Sequence, residues 1–160
     1  MLPPAASISY RINLFARTAP MNSSGHNQFR DEVVLVARIM LVLLFLIFGW
    51  GKITNFAGTV SYMASTGMPA PTLGALIAIF IEFFVSIAVL VGIFTQPLAV
   101  LMAVYTLATG FIGHKYWSMT GMARYENEIN FFKNVSIAGG FLLLYVTGPG
   151  RYALHFSKRG

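Results

Sequence analysis

The sequence predicts an all-α protein, a four-transmembrane-helix up-down bundle with both termini cytoplasmic and a short interfacial helix between spans 1 and 2. Three observations carry this reading. Hydrophobic residues make up 56% of the chain and charged residues only 10%, against roughly 25% charged in a soluble domain. The apolar residues also fall in long blocks instead of alternating, which is the pattern of spanning helices. Finally, proline, glycine and polar stretches break the blocks into four, and 160 residues hold about four spans of ~20 residues with short connections.

Residues 1–32 are polar, with Pro3, Pro4, Pro20 and the run NSSGHNQ. They lack the apolar core of a signal peptide and read as a mobile N-terminal tail, with Met1 or Met21 as the native start. The first apolar block, Val33 to Trp50, makes ~27 Å of helix, enough to cross a bilayer core. Trp50 stands where an interfacial aromatic belt is expected. After it, Ile53, Phe56, Val60 and Met63 are spaced as on an amphipathic interfacial helix. Pro69 and Pro71 restart the chain, and a second block covers about Thr72 to Phe94.

Pro97 opens a third block, Leu98 to Ile112. The following GHKYWSMTGMARYENEIN reads as a loop with two interfacial aromatics, Tyr116 and Trp117. A fourth block runs from Phe131 to Val146 and ends at TGPGRY, a helix-stop signature. The organisation is therefore a tail (1–32), one membrane domain (33–150) and a basic C-terminal tail (151–160). Arg11, Arg17 and Arg30 at one end, with Arg151, Lys158 and Arg159 at the other, outweigh Lys52, Lys115 and Arg124 in the opposite loops. The positive-inside bias places both ends in the cytoplasm.

Composition also excludes several classes. Without cysteine there is no disulfide, thiol redox pair, thiolate metal site or iron–sulfur cluster in this subunit. The net charge of +6 is dispersed over tails and helix ends, and no basic stripe interleaved with aromatics argues for nucleic acid. No phosphate-binding loop, dinucleotide fingerprint or Ser–His–Asp order occurs. A lone His114 at the membrane edge cannot supply a bis-histidine haem pair, and His26 and His155 lie in the tails. No catalytic residue and no metal ligand is assigned, and a stand-alone enzyme is not expected.

The informative residues are charges inside or beside the apolar blocks: Arg38, Lys52, Glu82 and Lys133. A charge at the centre of a span costs ~2.5–3.5 kcal/mol on insertion scales, so such residues face the bundle interior and find partners. Arg38 and Lys52 lie within ~40° on one helix face, and Asn130, Lys133 and Asn134 share another. Glu82 is the acid at depth, ~10 Å from Arg38 along the membrane normal by helical rise. Arg38 is the expected partner, because a guanidinium pairs bidentately with carboxylate. Lys133 competes, while Lys52 is expected to snorkel to the interface and His114 to sit at the rim. The surplus of cations over the one carboxylate suits a quinone head group, a lipid phosphate or a partner subunit's acid. Equally, the charges could serve only to fix helix register.

ARIMLVLLFLIFGWGKI, IEFFVSIAVLVGIFTQPLA and INFFKNVSIAGGFLLLYVTGPGRY together resemble the DoxX family of small bacterial inner-membrane proteins with four spans. The resemblance covers about residues 33–153 and carries over to Arg38, Gly49, Lys52, Glu82, Gly92, Lys133 and Asn134. FIGHKYW resembles a histidine–aromatic segment of many members. The resemblance implies an inner-membrane, multi-pass subunit linked to quinone-dependent respiratory or oxidative-stress oxidoreduction, with quinone as a cofactor and an oxidoreductase as partner. The N-terminal extension falls outside the family core, and any thiol chemistry of relatives cannot reside here.

Three functions follow as expectations. The first is a membrane subunit binding a quinone, an anionic lipid or a partner enzyme through Arg38, Lys52, Glu82, His114, Asn130, Lys133 and Asn134. The second is a structural or assembly protein whose charges only hold helices together. The third is a small-solute or lipid transporter, which would need a homo-oligomer because four short helices enclose little space.

Overall fold

Four apolar helices do lie side by side. The structure, a computed structural model, describes residues 23–154. Helix α1 spans Ser23–Thr54 and α2 spans Phe56–Ser65. α3, Pro71–Ile79, passes through a π-helical turn, Phe80–Val85, into α4, Ser86–Val91. α5 covers Thr95–Gly113, a 3-10 turn covers Tyr116–Ser118, and α6 covers Gly121–Thr147. The candidate membrane spans are Phe29–Thr54, Pro71–Val91, Thr95–Ser118 and Gly121–Thr147.

The spans form a ring. α1 packs on the second span, the second span on α5, α5 along α6, and α6 closes back on α1. The core runs through the middle of the ring, where Val42, Phe45, Val85, Val89, Met102 and Phe141 are buried. Both ends of the described chain meet at one end of the bundle. There the Arg151 N–H donates to Asp31 Oδ1 at 3.3 Å and the Leu154 N–H to the Val91 carbonyl at 2.9 Å. That is the geometry an even number of spans requires.

Local chemistry explains the boundaries. α2 is the predicted interfacial helix. Its cap is Asn55, whose side-chain oxygen accepts the Gly58 N–H at 3.2 Å, a standard N-cap solution for orphan donors. Pro71 opens α3 at its first turn. Between the second and third spans Gly92 takes a left-handed conformation at φ +89°. A side chain there would overlap Ala153 and crowd the Arg38 guanidinium, so this turn needs glycine on two counts.

Two helices are longer than the apolar blocks suggested. α1 begins at Ser23, not Val33, so the last part of the expected tail is helical. The rest of that tail, including the choice between Met1 and Met21, lies outside the described residues, as do residues 155–160 of the C-terminal tail. α6 begins at Gly121, ten residues before Phe131. Its first turns carry MARYENE, and Met, Ala, Arg and Glu are good helix formers. The helix therefore persists beyond the stretch hydropathy marks. The expected loop shrinks to residues 114–120, where Tyr116 and Trp117 pack on Phe131 at ring separations of 5.5 and 6.0 Å.

Candidate functional site

The site begins with a close approach of two backbones. A Cβ on Gly49 would stand 2.9 Å from the Phe83 nitrogen, so only glycine lets α1 touch the second span at that level. Gly140 on α6 lies against the tip of the Leu41 side chain, which a Cβ would meet at 2.7 Å, a looser constraint because that side chain can turn away. Gly51 and Gly139, read from sequence as further approach points, have nothing within 4 Å.

Gly49 sets the register that decides Glu82's partner. Lys52 is three residues further along α1, ~4.5 Å above the contact, whereas Arg38 is eleven residues below it, ~16 Å away. Accordingly Lys52 Nζ donates to Glu82 Oε2 at 2.6 Å. The expected Arg38–Glu82 pair does not form, and Lys52 does not snorkel outward. Tyr105, from α5, donates its hydroxyl to the other carboxylate oxygen at 2.7 Å. Both Glu82 oxygens are thus bound, and the side chains of Lys52 and Glu82 are only 23% and 11% exposed. Glu82 sits within the π-helical turn, a helix irregularity that recurs at functional sites.

Arg38 does other work. It is 1% exposed and donates Nη1 to the Pro149 carbonyl at 2.8 Å and Nη2 to the Tyr152 carbonyl at 2.5 Å. The guanidinium clamps the segment after α6 onto α1, at the end of the bundle opposite Lys52.

The remaining predicted residues gather. Lys52, Glu82, His114, Asn130, Lys133 and Asn134 all line one cleft of about 270 Å³. Lys133 Nζ donates to Asn130 Oδ1 at 2.6 Å, one turn away on α6. His114, the C-cap of α5, has its Nδ1 3.0 Å from Asn127 Oδ1. Asn134 stands against Gly110, whose Cβ would meet it at 3.3 Å. Lys52–Glu82 is the ion pair of the cleft, and Lys133 has Asn130, not a carboxylate, as its partner there. The cleft carries two lysines against one acid, a net positive charge.

Residues that the sequence reading passed over complete the lining. Tyr105, Thr106 and Thr109 come from α5, and Leu44, Phe45 and Phe48 from α1. The polar trio had a signal, since offsets of one and four put all three on one side of an otherwise apolar helix. The apolar wall had none, because leucine and phenylalanine in a span read equally as lipid-facing. The cleft is therefore two-sided, with hydrocarbon on α1 and hydrogen-bonding groups on α5 and α6. Lys133 and the Asn134 amide are its donors, while His114, whose Nδ1–H donates to Asn127 Oδ1, keeps its second nitrogen as an acceptor. Such a set fits a group that accepts hydrogen bonds, a carbonyl or an anion. No group of three or more His, Cys, Asp or Glu among the described residues could hold a metal ion.

Comparison with known proteins agrees with this architecture. The DoxX family model matches residues 33–115. The inner membrane protein YphA of Escherichia coli K12 is 56% identical over 125 residues, covering 78% of this chain and 89% of that protein. The inner membrane protein YqjF of the same organism is 42% identical over 127 residues, covering 79% and 92%. A Surfeit locus protein 4 homolog of Schizosaccharomyces pombe is 25% identical over 154 residues, which is 95% of this chain and 45% of that protein. No solved structure matches.

Proposed function

The chain belongs to the DoxX family of inner-membrane proteins, and from that premise we propose that its cleft binds the acceptor-bearing head group of a membrane-dissolved quinone, for use by a partner oxidoreductase. The observation that carries the reading is the uncompensated Lys133 ammonium beside a second lysine, an amide and an imidazole in a cleft with one apolar wall. A quinone supplies the electron-accepting carbonyls, and the residues present fit it. Lys133 and Asn134 would donate to those oxygens, and the second nitrogen of His114 would accept from a reduced quinone's hydroxyl. Leu44, Phe45 and Phe48 would cover the ring and exclude water. The Lys52–Glu82–Tyr105 set is already satisfied within itself and ties α1, the second span and α5 together beside α6. The protein performs no redox step of its own in this reading.

The experiment is quinone binding to the full chain in lipid nanodiscs, read by quinone content of the purified protein and by quinone-dependent thermal shift. Lys133→Met removes the donor and leaves the half-buried Asn130 in place, and a lost charge-assisted hydrogen bond weakens binding at least about tenfold. Protein that carries no quinone and shows no shift overturns the reading. The self-satisfied Lys52–Glu82 pair favours the second reading, a structural or assembly protein, which expects no ligand and no effect of Lys133→Met.

A further inference from the structure

The ring order of the helices leaves one seam open. α1 and α6 are neighbours that close the ring, and they touch deep in the bundle, where Leu41 meets Gly140 and Phe45 packs on Phe141 at 5.6 Å between ring centroids. Above that level, residues of both helices line the cleft: Leu44, Phe48 and Lys52 from α1, and Asn130, Lys133 and Asn134 from α6. Glu82 and Tyr105 belong to the second span and α5, so they form the far wall. No other described helix packs against both α1 and α6, so no described helix covers the seam. A gap between adjacent spans, with the polar wall behind it, faces acyl chains.

The two lips have suitable chemistry. Phe48 is 58% exposed, with Lys52 Nζ 5.7 Å from its ring centroid. Lys133 is exposed and borders both the cleft and an outer groove of α6 lined by Tyr125, Ile129 and Phe132. Leu44, Phe48 and Lys52 are four residues apart and stack along ~12 Å of α1. The wall thus passes from hydrocarbon at depth to an ammonium near the helix end. Charge set at the lip of an apolar opening selects molecules with an acceptor head and a hydrocarbon tail.

We propose that the cleft is loaded sideways from the bilayer through a portal between α1 and α6, with Phe48 and Lys133 as its lips. The occupant is a lipid-dissolved amphiphile whose head passes between them while its tail stays among the acyl chains. This rests on the reading that the cleft holds a ligand. Its test reads access alone and needs no native ligand.

Photolabelling of the full chain in nanodiscs with a hydrophobic diazirine is compared with labelling by a charged, water-soluble one, and the sites are mapped by mass spectrometry. The hydrophobic probe is expected to mark Tyr105, Thr109 and Asn134 at least fivefold more than the charged probe does. Phe48→Trp should cut that labelling at least threefold and Phe48→Ala should raise it, while Val104, an exposed lipid-facing residue, is labelled equally in all three proteins. Labelling of the far wall by the charged probe alone, or labelling indifferent to both Phe48 variants, overturns the portal. A water-side route would leave quinone binding intact, and absence of bound quinone would leave the labelling pattern intact, so the two proposals fail separately.

Discussion

Glu82 holds two donors at once, the Lys52 ammonium and the Tyr105 hydroxyl, and the consequence is an asymmetry between losing one partner and losing both. Removing one member of a buried pair leaves an uncompensated charge and costs about 3–5 kcal/mol, whereas apolar replacement of both is often near neutral. Lys52→Met is therefore expected to destabilise the protein by about 3 kcal/mol, and Glu82→Leu by a similar amount. The double variant should recover most of that loss, because the desolvated charges vanish together. Reversible unfolding in mixed micelles measures all three. A double variant as unstable as the sum of the singles would mean that the charges act separately and that the 2.6 Å contact stabilises nothing. Tyr105→Phe, which leaves Lys52 in place, should cost less, about 1.5–3 kcal/mol for a hydrogen bond to a charged group.

At the scale of elements, spans were legible in sequence and their register was not. Apolar blocks located all four, and the spacing of Phe56, Val60 and Met63 located α2, because burial in lipid and lying at an interface each impose a periodicity. Helix ends and depth contacts follow other causes. α6 runs on through polar residues with high helix propensity, and the level at which α1 meets the second span is fixed by one missing Cβ at Gly49. Hydropathy is blind to that contact, so it paired Glu82 with Arg38 and sent Lys52 outward. Six of seven expected site residues still fell in one cleft: Lys52, Glu82, Lys133 and Asn134 stand inside or beside apolar blocks, where charges at depth seek the interior, and His114 and Asn130 come from the expected loop. Arg38 obeyed the same rule with backbone carbonyls for partners. Its clamp joins α1 to the chain after α6, so Arg38→Met should free that segment. Amide exchange of Leu154, whose N–H is bound to Val91, is expected to rise at least tenfold, with labelling and binding at the distant cleft unchanged. Unaltered exchange there would show that the Gly92 turn, not the guanidinium, holds the segment.

For the whole molecule, the two ends of the bundle are chemically different, and this ties orientation to access. One end gathers the beginning of α1, the turn at Gly92 and the Arg38-held segment. The other bears α2, the 3-10 turn and the cleft with its net positive charge. In sequence, Arg11, Arg17, Arg30, Arg151, Lys158 and Arg159 belong to the first side, and Lys52, Lys115 and Arg124 to the second. The bias of Lys and Arg toward the cytoplasm predicts that the cleft lies in the outer half of the inner membrane, and under the proposed function a partner oxidoreductase would then work from the outer leaflet. Because the chain has no cysteine, topology can be read from single introduced thiols. Ser118→Cys in the 3-10 turn is expected to react with a membrane-impermeant maleimide in intact cells. A thiol replacing Arg151 should react only after the membrane is opened. The reverse pattern would turn the cleft toward the cytoplasm and move the partner enzyme with it.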